Sequence, residues 1–481
     1  MRLTGYAILL LLTSCISGKQ PQEKAGDQPM NVLFISLDDM NDWIRLLDSN
    51  APIETPNLER LAGKGMLFTQ AYCASPSCNP SRTAVLTGKM PSTSGVYNNA
   101  TDWKTAMPGE ITLPHYFKQN GYRTEGAGKI FHHHLNGAFH DSTAFDDFQQ
   151  MPWPPDAPMP VKKLNDLKEY GSPNTDWGIW PGVDSLHVDA RTVRYVSGKL
   201  SGTYQKPFFL AAGIFRPHMP FFAPAEFFER YPAEQVRMPE VLADDLDDIP
   251  AGGMALWEKT RWFFDGMMKY DKEEPGTWRE AVRAYQASAT YADAQVGKIL
   301  DALESSPYAD NTIIVLWSDH GYHLGEKQHW EKFALWEKTT HVPFIIVAPG
   351  ITRPGSICSQ PVSLVDIYPT LLELCGLSPR EDLDGQSLVS LLKDPAAPRE
   401  QPAVMTYGKG NHAVRKGKWR YIHYADGTEE LYDREQDPNE WHNVAGDPSN
   451  SPVMVDMQQW LPSQEASVAP DMKKPGKKKK K

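Results

Sequence analysis

Two short apolar runs that each end in acid constrain this chain most. Asn31 to Leu37 contains Val-Leu-Phe-Ile-Ser-Leu and leads straight into Asp38-Asp39. Thr312 to Trp317 leads into Ser318-Asp319-His320. Runs this short and this apolar suit buried strands. Others are Arg123 to Ala127, Pro207 to Gly213 and Pro343 to Ala348, and helical patterns separate them. Thr55 and Pro56 suit an N-cap and a first helical turn. Thr112 to Gln119 suits a second helix, ended by Asn120-Gly121. A long helix fits Arg279 to Glu304, where Val282, Tyr285, Ala289, Ala292, Val296, Ile299 and Leu303 keep three- or four-residue spacing. The alternation predicts an α/β fold with a large mixed, mostly parallel sheet flanked by helices. Ligands in such sheets sit beyond the carboxyl ends of the strands, where both acidic clusters fall. Hard oxygen ligands converging there suit a divalent cation. Asp38-Asp39 by itself is equally compatible with a turn or a cap.

The stretch from Tyr72 to Gly88 carries the second signal. Cys78-Asn79-Pro80-Ser81-Arg82 opens a helical run that closes on Leu86-Thr87-Gly88. Pro80 fits the first turn and Gly88 the stop. Cys78 then lies at a helix N-terminus, where free N–H groups and the helix dipole favour an anion. Arg82, one turn along, can reach the same spot. A buried structural cysteine beside a cap is the plain alternative.

C-x-P-S-R followed by T-G resembles the signature of the type I sulfatases, formylglycine-dependent members of the alkaline phosphatase superfamily. Further matches follow in order. Gly128-Lys129-Ile130-Phe131-His132, Pro217-His218-Met219-Pro220-Phe221, and Ser318-Asp319-His320-Gly321 with Leu324-Gly325-Glu326 and Trp330 through Lys332 are similar to the iduronate-2-sulfatase-like branch. The resemblance spans Asn31 to about Asn443. It implies that Cys78 is oxidised to formylglycine by a maturation enzyme, and that one Ca²⁺ is held by Asp38, Asp39, Asp319, His320 and the modified residue 78. Histidine at 320 follows that branch; many sulfatases have asparagine there. The implied catalytic set is Cys78, Arg82, Lys129, His132, His218 and Lys332. Arg82 and Lys129 hold the nucleophile and the sulfate charge, and His132 helps release sulfate from the enzyme. His218 and Lys332 stabilise or protonate the leaving oxygen. Asn79 stands where alanine is frequent. Arg216 is a candidate substrate contact. His133, His134, His323 and His329 have no assigned role, and no tetrahedral spacing supports a zinc site among them.

The termini speak to location. Arg2, the apolar run Tyr6 to Leu12 and Leu12-Thr13-Ser14-Cys15 make a secretory signal over 1–15 that resembles a lipobox. Cys15 is then a lipid anchor, and 16–30 a tether. Export to the periplasm or cell surface follows, with membrane contact only through that anchor. Net charge is −11, and a lysine-rich tail (466–481) makes the body more acidic still. This argues against nucleic acid as a partner. An anionic substrate therefore needs a local basic pocket. Of the five cysteines, Cys73, Cys358 and Cys375 remain. A Cys358–Cys375 bridge is open, and burial of Cys375 in a helix is the alternative.

The catalytic domain is expected over 31–380 and a smaller antiparallel subdomain over 381–465. There Lys416-Gly417 and Asp426-Gly427 mark hairpin turns. The expected activity is hydrolysis of a sulfate ester on a carbohydrate, a polysaccharide or a glycosaminoglycan-type oligosaccharide, with a 2-O-sulfated uronate as one candidate. The alternatives are a phosphodiesterase or phosphonate hydrolase of the same superfamily, and a non-catalytic glycan-binding lipoprotein.

Overall fold

The computed structural model describes residues 29–132, 138–152 and 175–472. The signal segment, Cys15, most of the tether, His133, His134 and most of the lysine tail lie outside them. Eight strands form the main sheet in the order Ser356–Cys358, Met66–Phe68, Phe344–Val347, Thr312–Ser318, Asn31–Asp38, Phe208–Pro217, Arg123–Gly128 and Asp147–Gln150. Asn31–Asp38 pairs in parallel with Phe208–Pro217 on one side and Thr312–Ser318 on the other. Only Phe344–Val347 runs against the rest, antiparallel to both neighbours. The sheet is therefore mixed and mostly parallel, as expected.

The central strand shows why. All eight of its residues are buried. Leu33, Ile35 and Leu37 join the apolar layer on one face, where Thr277–Glu304 and Val188–Leu200 pack. Val32 and Phe34 join the layer on the other, under Cys78–Thr87, Leu113–Gln119 and Ile367–Leu374. A strand covered by helices on both faces has no place for an alternating polar residue.

Local signals set the helix ends. Thr55 is the N-cap of Pro56–Ala62, although its side chain makes no cap bond. Cys78–Thr87 ends on Gly88 at φ 70, the left-handed conformation that glycine adopts without penalty.

Four antiparallel strands, Ala403–Thr406, His412–Lys416, Trp419–His423 and Glu429–Asp433, make the C-terminal sheet, with turns where Gly417 and Gly427 stand. It packs on Tyr72, Leu335 and Trp336 of the main body. Beneath it the Glu337 carboxylate accepts from Tyr72 Oη at 2.8 Å and from Arg420 Nη1 at 2.8 Å, with Arg434 3.6 Å and Arg415 3.9 Å away. Cys358 and Cys375 are both free thiols, so the bridge left open does not form. Cys375 caps its helix and is half-buried rather than enclosed. No helix among the described residues is long and apolar enough to cross a membrane.

Candidate active site

Parallel register brings four loops to one end of the sheet. Leu37 lies opposite Ser318, and Asp38 opposite Pro217. Gly128 lies opposite Gly213 one strand further out. Asp38-Asp39, Lys129, His218 and Asp319-His320 therefore leave the sheet side by side. The helix Cys78–Thr87 points its N-terminus into this group. Ser81 Oγ ties it there by donating to Asp319 O at 2.5 Å.

Cys78 is at the centre. His320 Nε2 is 3.2 Å from its Sγ, Lys332 Nζ 3.3 Å and Lys129 Nζ 3.9 Å. Burial alone would push this thiol up. Lys129, Lys332 and His320 overrule burial and hold it well below its ordinary value. The site is thus built to stabilise negative charge on whatever side chain occupies position 78. Arg82 Nε donates to Asp319 Oδ2 at 2.8 Å, and Nη2 lies 3.3 Å from Asp38 Oδ1. Arg82 also donates to the carbonyls of Lys129 and Leu37. Its guanidinium therefore braces three of the four loops. Lys129 Nζ contacts Asp38 Oδ2, and Lys332 Nζ reaches Asp39 Oδ1 at 2.8 Å.

The carboxylates test whether a cation fits. Asp38 Oδ1 and Asp39 Oδ2 are buried without a hydrogen-bond partner, a costly state unless something else neutralises them. Asp319 is pushed up to about 7 by burial and by the Asp38 and Cys78 anions, against the pull of Arg82. Burial would lower His320, but Asp319 and Cys78 raise it to about 9. Acids and cations are crowded together here, and Lys129, His218 and Arg82 hold Asp38 far below the usual carboxylate range against burial. Ligand atoms of Asp38, Cys78, Asp319 and His320 lie within 4.8 Å of one another, as do those of Asp38, Asp39, Cys78 and His218. These residues fit one divalent cation.

His218 stands at the rim, half-buried, with Nε2 3.9 Å from Asp39 Oδ2. His132 also lies at the rim and hydrogen-bonds Cys78. All ten sequence-derived site residues are thus gathered. Arg216 sits beneath the turn that carries His218. It is fully buried, and donates from Nε to Phe222 O at 2.8 Å and from Nη1 to His218 O at 3.1 Å. These bonds brace that turn. His323 and His329 face each other, Nδ1 to Nδ1 at 3.0 Å, and burial holds both well down. Neither belongs to the ligand groups found among the described residues.

Several supporting residues escaped the sequence. Ser36 Oγ donates to Lys129 O at 3.2 Å. Tyr285 Oη donates to Asp39 O at 2.7 Å and accepts from Asn41 N at 3.0 Å. Asp189 takes the Phe215 and Arg216 amides. Each acts on a segment far away in sequence, so no local pattern marks it.

The comparisons agree with this geometry. A family model described as Sulfatase matches residues 30–377, and one described as N-sulphoglucosamine sulphohydrolase, C-terminal, matches 325–467. A sulfatase of Formosa agariphila is 41% identical over 461 residues, covering 92% of this chain and 88% of its own. Human iduronate 2-sulfatase is 30% identical, covering 77% and 73%. The fold matches that of a solved protein in complex with its substrate D-glucosamine-2-N,6-O-disulfate, at TM-score 0.72 and 21% identity, covering 90% of this chain and 97% of that one. A helix-borne cysteine among cations, acids at parallel strand ends and a family match over most of the length converge on one conclusion: this chain belongs to the sulfatase family and is a sulfuric ester hydrolase.

Proposed function

We propose that the protein removes sulfate from a sulfated carbohydrate, using formylglycine made from Cys78 and one Ca²⁺. The observation that carries this is the set of cations drawn around Sγ of residue 78 beside two buried carboxylate oxygens that make no hydrogen bond. Asp38, Asp39, Asp319 and His320 would hold the ion with residue 78. When bound, Ca²⁺ supplies Lewis-acid polarisation of sulfate oxygens. An all-oxygen set is more usual for so hard an ion; the three carboxylates supply most of that character.

The other roles follow from position. Arg82, locked between Asp38 and Asp319, keeps the strand ends and the nucleophile-bearing helix in register. Lys129 and Lys332 flank position 78 and lie where negative charge develops, as electrostatic stabilisation requires. His218 at the rim and Lys332 beside position 78 serve the leaving oxygen, and His132, bonded to position 78, moves a proton there. The substrate class draws on relatives and solved structures whose names refer to sulfated sugars. Export and lipid anchoring at Cys15 remain part of the proposal, on the sequence of the first fifteen residues.

The test is peptide mass analysis of residue 78 after expression with a formylglycine-generating enzyme, alongside sulfate release from an aryl sulfate. Conversion at 78 and loss of release in Cys78→Ala are expected. Full activity with an unmodified thiol would overturn the mechanism.

A further inference from the structure

The rim of the site carries a group that the chemistry above does not use. Trp330–Glu331 is a short strand antiparallel to His323–Leu324, with Glu331 opposite His323. Trp330 is fully buried in the core. Glu331 then takes φ 88, and Phe333 takes φ 77. Neither is glycine, and such conformations are rare and costly for a side chain of this size. They break the alternation of an extended chain exactly where Lys332 must turn toward Cys78. Glu331 and Phe333 consequently stay partly exposed beside the buried Lys332.

The C-terminal sheet completes this rim. Thr406 N donates to Ala74 O at 2.9 Å, and Phe333 N to Pro76 O at 3.2 Å. Both segments are thereby fastened to the loop that precedes Cys78. Tyr407 follows and meets Phe333 with ring centroids 5.9 Å apart at 31°. Glu331 acts electrostatically on Tyr407 from one side and on Lys332, Asp39 and Cys78 from the other. Its carboxylate makes no hydrogen bond or ion pair among the described residues.

We propose that Glu331 and the Phe333–Tyr407 ring pair form the subsite for the sugar that bears the sulfate. The rings take an apolar face of the sugar, and Glu331 accepts a hydrogen bond from a hydroxyl or ammonium group beside the ester. A substrate carboxylate there would add another anion to the same side of the pocket and leave Glu331 without a donor. The preferred substrate is therefore a neutral or amino sugar sulfate, and a sulfated uronate is disfavoured. Glu331 is a specificity-determining residue, and this inference rests on the sulfatase activity proposed above.

The experiment compares matched monosaccharide sulfates, sulfated at C2 or C3, that differ only in carrying hydroxymethyl or carboxylate at C6. kcat/KM is measured on each for the wild-type holoenzyme, Glu331→Gln and Glu331→Asn. Asparagine is included because it tolerates the left-handed region better than most residues. Wild type should favour the hydroxymethyl sugars, and both variants should shrink that ratio by about tenfold or more. A ratio that favours the uronates, or that stays within twofold on substitution, overturns the assignment. So does failure to cleave any hydroxymethyl sugar by an enzyme that cleaves an aryl sulfate. No turnover of the aryl sulfate by matured wild type would instead defeat the sulfatase mechanism itself, which separates the two failures.

Discussion

Two clusters of buried charge lie in this molecule, and they are built differently. At the strand ends, Asp38 Oδ1 and Asp39 Oδ2 make no hydrogen bond, and Asp319 is driven upward by burial and neighbouring anions. Under the C-terminal sheet, both oxygens of Glu337 accept hydrogen bonds, from Tyr72 and Arg420. Burial would raise Glu337 too, but Arg434, Arg420 and Arg415 hold it far below the usual carboxylate range. The first cluster leaves two carboxylate oxygens without a hydrogen bond and draws cations around position 78, which suits a metal ion on one side and a sulfate group on the other. The second bonds both oxygens of its central carboxylate and fastens the C-terminal sheet to the body. Removing a carboxylate should therefore cost chemistry in one place and stability in the other.

Asp319→Asn is the strongest way to break that contrast. It deletes a proposed cation ligand and one partner of Arg82, and sulfate release should fall by about a thousandfold or more. Melting temperature in chelator should stay level or rise, because a crowded buried carboxylate is gone. Calorimetry of the metal-free protein checks this. A large drop in melting temperature would show that Asp319 is structural like Glu337.

Glu337→Gln should do the reverse. It leaves Arg420, Arg434 and Arg415 around a neutral amide, and breaking a buried pair on one side costs about 3–5 kcal/mol. Denaturant unfolding should show that loss, while kcat on an aryl sulfate stays within about threefold below the melting transition. Chelation sharpens the same comparison with a smaller effect. Removing a cation present at a hundred times its Kd withdraws about 2.7 kcal/mol. The shift should appear equally in wild type and Glu337→Gln, and vanish in Asp319→Asn. A wild type indifferent to chelator in both melting and turnover would count against the cation site.

The strand-end cluster was largely legible in the sequence, and the Glu337 cluster was not. Asp38-Asp39 and Asp319-His320 follow runs so apolar that only buried strands suit them, and parallel sheets gather such ends by construction. Cys78 and Arg82 share one helix turn, a local relation. Glu337 gives no such signal. Its partners Tyr72 and Arg420 lie 265 and 83 residues away, and a Glu in Glu337–Thr340 reads as any solvated charge. Direction is also silent: Phe344–Val347 is as apolar as its neighbours yet runs against them. Arg216 is silent for a related reason: nothing local shows that its guanidinium donates to the carbonyls of Phe222 and His218. The left-handed backbone at Glu331 and Phe333 comes from tertiary packing, not from composition.

The smallest effect concerns pH, and it isolates Glu337. Its folded pKa lies below the unfolded value of about 4.5. The stabilisation it gives is therefore complete above that value and is lost as pH falls toward the folded one. The wild type should take up one more proton on unfolding than Glu337→Gln in that window. Their stability difference should narrow by about 1.4 kcal/mol per pH unit below pH 4.5 and stay flat from pH 6 to 8. Matched denaturant curves across pH 3.5 to 8, in chelator so that the strand-end cluster contributes alike to both proteins, give the measurement. A difference that is flat down to pH 3.5 would mean that the three arginines do not hold Glu337 ionised, and the contrast between the clusters would collapse.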